Sequence, residues 1–234
     1  MASFTSPKEH LNPFEQFDTD LGQCRKCEGI LAKKFVDERA NEERIQPRPI
    51  VVAISQKPIM LIGQAPGLTE YETGKPFQGP AGQEIRSIFA DCGVSAERFA
   101  HLVHTSAVVK CFPGSKKVAN RRRPGFRRED EKPPAAMISN CRPLLERQIV
   151  LADPKIIVLL GGLPLQAFLR MSGAESSKAE LSAFVGKVLH WGMRKVIPFP
   201  HTSGASFWLN DPANRQLFAA AKTCLRSEVA ALSA

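Results

Sequence analysis

Four cysteines, one histidine and one strand-end turn are the parts of this chain best equipped for chemistry. Cys24 and Cys27 form a CxxC pair, Cys111 follows an expected strand, and Cys141 lies early in an expected helix. Four thiolates can enclose one tetrahedral metal or a cubane cluster. Spacing alone favours zinc and leaves four unliganded thiols as the other reading. Cys92 and Cys224 fall on apolar helical faces and are expected in the core. Gly63-Gln64-Ala65-Pro66-Gly67 closes a β-branched run. In a parallel α/β sheet such a turn presents its backbone to an open crevice. His201 opens a Gly/Ser-rich turn over 201–208, and imidazole is the side chain that most readily exchanges or donates a proton near neutrality.

These residues need a scaffold. The pattern predicts helices near 13–21, 81–92, 134–152, 162–171 and 213–231, and strands over 57–63, 101–109 and 155–160. Residues 49–54 form a further β-branched run. Two late strands, 185–191 and 195–199, can pair across Gly192. The alternation predicts one α/β domain over 1–234, a mostly parallel central sheet with helices on both faces, interrupted by a long basic loop over 112–134. The longest apolar runs, Ile50–Ile54 and Ile156–Leu160, are too short to span a bilayer. The N-terminus lacks an apolar signal segment, so the expected location is cytoplasmic and nucleoid-associated, with reduced thiols and no membrane partner. A monomer is expected. The net charge of +9 suggests a polyanionic partner.

Several segments together resemble the uracil-DNA glycosylase superfamily, specifically its iron–sulfur branches, families 4 and 5. They are Cys24-x-x-Cys27, Gly63–Gly67, Gly74-Lys-Pro-Phe-Gln-Gly-Pro-Ala-Gly82, Thr105-Ser-Ala-Val-Val-Lys-Cys111, Cys141–Gln148, Pro154–Gly161 and the turn beginning at His201. Their order is the family's order, and they cover roughly residues 20–210. The resemblance implies a [4Fe-4S] cluster on Cys24, Cys27, Cys111 and Cys141 in place of zinc. It also implies excision of uracil from single- or double-stranded DNA, by a monofunctional enzyme that leaves an abasic site.

The target base lies inside the stack and must be swung into a pocket before its glycosidic bond can break. The resemblance assigns Phe77 to stack on the base and His201 to donate a hydrogen bond as negative charge builds on it. Gln64 stands where relatives often have Glu; it can orient water but carries no charge. Gly63, Ala65, Pro66 and Gly67 are expected to line the substrate pocket with Ser106, Ala107 and Ser203. Glu70 and Glu72 are alternative carboxylates. Ala107 occupies the place of family 4's uracil-reading Asn, and Thr202 replaces the usual Pro after His201. An alanine reads nothing, so discrimination falls to backbone groups or Ser106, and we hypothesise that hypoxanthine is also accepted. Equal-concentration cleavage of uracil and hypoxanthine duplexes decides this: strict uracil preference removes the idea. Lys75 is the only lysine expected near the crevice.

In the basic loop, Arg121, Arg122, Arg123, Arg127 and Arg128 are expected to meet phosphates. Ser206 is expected at the minor groove, with Phe207 or Trp208 as a wedge or as core. Two rivals remain at this level: a non-catalytic binder of damaged or single-stranded nucleic acid, and a four-cysteine zinc protein that binds RNA.

Overall fold

The computed structural model describes residues 11–34, 44–119, 124–174, 180–202 and 208–232. Four strands form the parallel part of the sheet: β1 (Ile59–Gly63) and β2 (Val103–Ala107), then, after a hairpin of β3 (Ser115–Ala119) and β4 (Phe126–Asp130), β5 (Ile156–Leu160) and β7 (Arg194–Phe199); β1 and β5 are short apolar runs buried along their whole length. With β6 (Leu189–Trp191) at one edge, the central sheet has the order β2-β1-β5-β7-β6. The first four strands pair in parallel, and β6 pairs antiparallel with β7.

Eight α-helices are described: α1 (Pro13–Gly22), α2 (Glu28–Leu31), α3 (Leu68–Thr73), α4 (Pro80–Asp91), α5 (Ala96–Leu102), α6 (Ala135–Ala152), α7 (Gly162–Met171) and α8 (Pro212–Ala231). Strand side chains alternate between faces, so each strand feeds two cores. Met60, Ile62, Ile157, Leu159 and Val196 pack with Met137, Leu145 and Ile149 of α6 and Leu165 and Phe168 of α7. Ile59, Leu61, Ile156, Val158 and Ile197 pack with Ile85 and Phe89 of α4 and Leu225 and Val229 of α8. Each such side chain contributes about 1.5–3 kcal/mol when fully buried. The expected doubly covered sheet is therefore present. Among the described residues, no helix is long and apolar enough to cross a membrane.

The topology fixes where a ligand can enter. From β1 the chain passes to β2 on one side, then to β5 on the other. The carboxyl ends of β1 and β5 thus flank a switch point, the place where open α/β sheets leave a crevice.

Three expectations need correction. Residues 112–134 are not simply a loop: Ser115–Ala119 pairs antiparallel with Phe126–Asp130. Lys116–Val118 and Arg127–Glu129 show no apolar alternation, because charged side chains stand on both faces of each strand. The β-branched run over 49–54 forms no strand; the Ile50 N–H donates to the Lys110 carbonyl at 2.9 Å. The strand expected from residue 101 starts at Val103, because α5 runs on to Leu102 and the Val103 N–H still donates to the Phe99 carbonyl.

Candidate active site

The switch-point crevice is a cavity of about 900 Å³. Gly63 through Gly67, Phe77, Ser106, Ala107 and His201 all line it. The aromatic ring and the imidazole expected to act together therefore face one space.

Two strand-end glycines create room for them. A Cβ on Gly63, at the end of β1, lies 3.1 Å from Phe77 Cζ. A Cβ on Gly161, just after β5, lies 3.3 Å from the Cβ and Cδ2 of His201. Gly161 also has φ 98°, a conformation nearly reserved for glycine. Gly63→Ala is expected to tilt the Phe77 ring and to lower kcat/KM about 10- to 100-fold, since small misplacements at a reacting centre carry losses of that order. Steady-state kinetics check this, and an undiminished rate contradicts it.

Phe77 is itself held in an unusual backbone, with φ 54°. Such a residue persists only where its surroundings over-determine it. Arg86 Nη1 donates to the Phe77 carbonyl at 2.6 Å. Gly82 lets α4 close against that carbonyl; a Cβ there lies 2.0 Å from it. The His201 turn is tied to the same helix start, because Thr202 Oγ1 donates to the Ala81 carbonyl at 3.0 Å. Thr202 thus supplies an anchor that a proline at this place lacks.

Glu70 is not a water-positioning acid but a clamp. Its Oε2 accepts from the Gly67 N–H at 2.9 Å, and its Oε1 accepts from the N–H groups of Gln78 and Gly79, both at 2.9 Å. One carboxylate joins the Gly63–Gly67 turn to the loop that carries Phe77. It also occupies the Gly67 N–H that was expected to face substrate. Glu72 is exposed.

The imidazole of His201 is mostly buried, and burial, aided by the Lys132 ammonium, holds its pKa below 6.5. At neutral pH it is an uncharged ring whose one N–H can donate a hydrogen bond.

Beneath Ser106 lies a polar network that the sequence reading missed. Lys110 Nζ donates to Ser106 Oγ and to Gln148 Oε1, and Ser106 Oγ donates to Gln148 Oε1, each at 2.6 Å. Gln148 Nε2 meets His104 Nε2 at 3.1 Å. Lys110 is 3% exposed, and burial pushes its pKa down to about 7. Lys110 and Lys132 line the cavity, whereas Lys75 does not, which corrects the expectation for lysines near the crevice. The hydroxyl proton of Ser106 is already committed, so toward a base Ser106 can only accept.

His104 is fully buried, and burial, reinforced by Lys110 and Lys57, lowers its pKa to about 4. The folded state therefore binds fewer protons than the unfolded chain between pH 6.5 and 4. The stabilisation is complete above pH 6.5 and is lost as pH falls toward 4, amounting to about 3 kcal/mol at most. Urea midpoints measured across this window should fall with pH, and His104→Leu should flatten the slope. A slope unchanged by that substitution contradicts the assignment.

On the far side of Lys110, Cys24, Cys27, Cys111 and Cys141 line one small cavity with Leu21, Pro47, Pro49 and Leu144. Burial, then the neighbouring thiols of Cys141, Cys27 and Cys24, pushes the Cys111 pKa up to about 12. Among the described residues, no three His, Cys, Asp or Glu side chains are arranged to hold a single metal ion; the shared cavity wall is what unites the four thiols. Asn140 Nδ2 donates to the Lys26 carbonyl at 3.1 Å and so ties α6 to the CxxC segment. Cys92 and Cys224 pack in the other core, as expected.

The hairpin closes the cavity's outer wall through Arg127, Arg128 and the residues up to Pro133. Trp208 packs against the second core, which favours its reading as core over wedge. Arg121, Arg122, Arg123, Ser203, Ser206 and Phe207 lie outside the described residues.

Residues 49–225 match the family model described as the uracil DNA glycosylase superfamily. A type-4 uracil-DNA glycosylase of Saccharolobus solfataricus is 32% identical over 207 residues, covering 87% of this chain and 82% of its own. Type-4 uracil-DNA glycosylases of Thermotoga maritima and Pyrobaculum aerophilum are 31% and 30% identical over 62% and 51% of this chain. The chain spans 64% and 52% of the lengths of these last two, less than two thirds of each.

Proposed function

Because this chain belongs to the uracil-DNA glycosylase superfamily, we propose that it hydrolyses the N-glycosidic bond of deoxyuridine in DNA and leaves an abasic site. The observation that carries the reading is the convergence of Phe77 and His201 on one cavity at the sheet's switch point.

In this mechanism the extruded uracil lies on the Phe77 ring, worth about 1–3 kcal/mol by analogy with base stacking elsewhere. The C1′–N1 bond breaks and its electron pair leaves with the base. His201, neutral at pH 7, donates its N–H to the uracil oxygen on which the charge accumulates. Water held by the Gln64 amide adds to C1′, and its proton is released to the departing base or to solvent. Gly63, Ala65, Pro66 and Ala107 supply close walls, and Ser106 offers an acceptor to the base edge. Ser203 completes the substrate contacts. Arg127 and Arg128 of the hairpin meet phosphates together with Arg121, Arg122 and Arg123, and Ser206 meets the minor groove. The whole chain acts as one domain and as a monomer in the cytoplasm.

The four cysteines fit a [4Fe-4S] cluster: they are all-sulfur donors from three separate segments, lining one enclosed cavity. A cluster held by Cys24, Cys27, Cys111 and Cys141 would supply no reaction step; those ligands would fasten the N-terminal segment, the hairpin's root and α6 to the sheet. Zinc, the alternative occupant, would need the thiols drawn closer together than they are among the described residues.

Incubation with uracil-containing single- and double-stranded oligonucleotides, followed by alkali, tests the activity. Strand cleavage at uracil is expected, from a brown protein with visible absorbance. Tight, salt-sensitive binding without cleavage contradicts the enzyme reading, and a colourless, zinc-containing protein contradicts the cluster.

A further inference from the structure

The hairpin carries one side chain that neither packing nor the proposed chemistry explains. Phe126 is 63% exposed. Ala119 stands directly opposite it in the pairing register, so the residue paired with Phe126 is too small to cover the ring, and the cross-strand neighbour that reaches it is the Lys117 ammonium. Alternation along the strands places Phe126, Arg128 and Asp130 on one face with Ser115, Lys117 and Ala119. That face starts at the cavity rim, where Asp130 Oδ2 accepts from the Leu68 N–H at 3.3 Å. It then passes Arg128, which lines the cavity, and ends at Phe126.

Charge is sorted along the same path. The acids sit toward the root and are engaged there: Glu129 with Arg127 at 2.7 Å and Lys116 at 3.9 Å, Glu131 with Lys34 at 2.5 Å. Farther out, Lys117 Nζ stands 4.4 Å from the centre of the Phe126 ring. Arg128 Nη1 is buried and has no hydrogen-bond partner among the described residues, although Asp130 lies 4.0 Å from the other guanidinium nitrogen. An open aromatic face set among cations matches a stacked base between phosphates, and every base offers such a face.

We propose that Phe126 stacks on the base flanking the extruded nucleotide, while Lys117 and Arg128 meet the adjoining phosphates. The inference rests on the reading that the cavity receives a nucleotide from DNA.

The test uses the full chain and single-stranded oligonucleotides with 2-aminopurine on either side of uracil. Wild type is expected to quench one of the two probes on binding. Phe126→Ala should lose that quenching, weaken binding about tenfold and raise KM similarly, with kcat within about twofold. Phe126→Trp should restore both signals, and Phe126→Leu should restore neither. Lys117→Ala should lower the salt slope of binding by about one. Rescue by leucine points to an apolar contact of another kind and overturns the proposal. Normal uracil release with binding and quenching indifferent to Phe126 overturns this inference alone. Phe126-dependent quenching without base release by wild type overturns the glycosylase reading alone.

Discussion

Replacement of His201 by alanine is expected to lower kcat about 10²- to 10³-fold while leaving affinity for uracil-containing DNA within a few fold. The size follows from removing one preorganised donor to a developing anion, about 2.7–4 kcal/mol. The split between kcat and binding follows from the ring's charge. Burial and Lys132 keep His201 neutral, so it offers the ground-state base little and the departing anion much. Single-turnover kinetics with saturating enzyme separate the two quantities. A large loss of affinity with kcat intact contradicts the role. The fold should tolerate the change, because the imidazole packs on Gly161 at the crevice and not in either core.

The second large effect is expected from Glu70→Ala. The substitution orphans three backbone N–H groups that now share one carboxylate. Hydrogen bonds to charged groups contribute about 1.5–3 kcal/mol each, but water can reach this partly buried site and recover some of that. A net destabilisation of about 3 kcal/mol is expected. Activity should fall at least as far as in Gly63→Ala, because the turn of Gly63–Gly67 and the loop of Phe77 lose their common anchor. Glu70→Gln keeps one acceptor oxygen and presents an amide N–H to the other donors, so it should lie between the two. Urea unfolding and kcat/KM check both variants. A Glu70→Ala protein as stable and active as wild type contradicts the clamp.

Much of this site was legible in the residues. The Gly-Gln-Ala-Pro-Gly turn, Phe77 and His201 were found by motif order, and the sheet brings all three to one crevice because strand ends converge there. Glu70 was legible in principle: it sits three residues after Gly67, the spacing at which a glutamate bonds back to the residue preceding a helix. Read as an alternative carboxylate for the chemistry, it hid a contact to Gln78 and Gly79 that only tertiary structure reveals. The Lys110 network was less accessible. Lys110 interrupts the apolar run Val108–Phe112, a sign of a buried charge, but its partner Gln148 comes from α6 and brings in His104 of β2. No local pattern joins them. The hairpin was obscured by composition: pairing in β3 and β4 depends on cross-strand contacts such as Lys116 with Glu129, which look like a solvated charge run in one dimension.

The account's central claim is that Phe77 and His201 act on the same base. Release of free uracil, followed chromatographically under single turnover for wild type, Phe77→Leu, His201→Ala and the double variant, tests it most directly. Wild type should release free uracil, and each single variant should slow that release. The double variant should be faster than the product of the two losses predicts, because groups that serve one transition state are coupled. Losses that multiply independently, or no free uracil from wild type, contradict the claim.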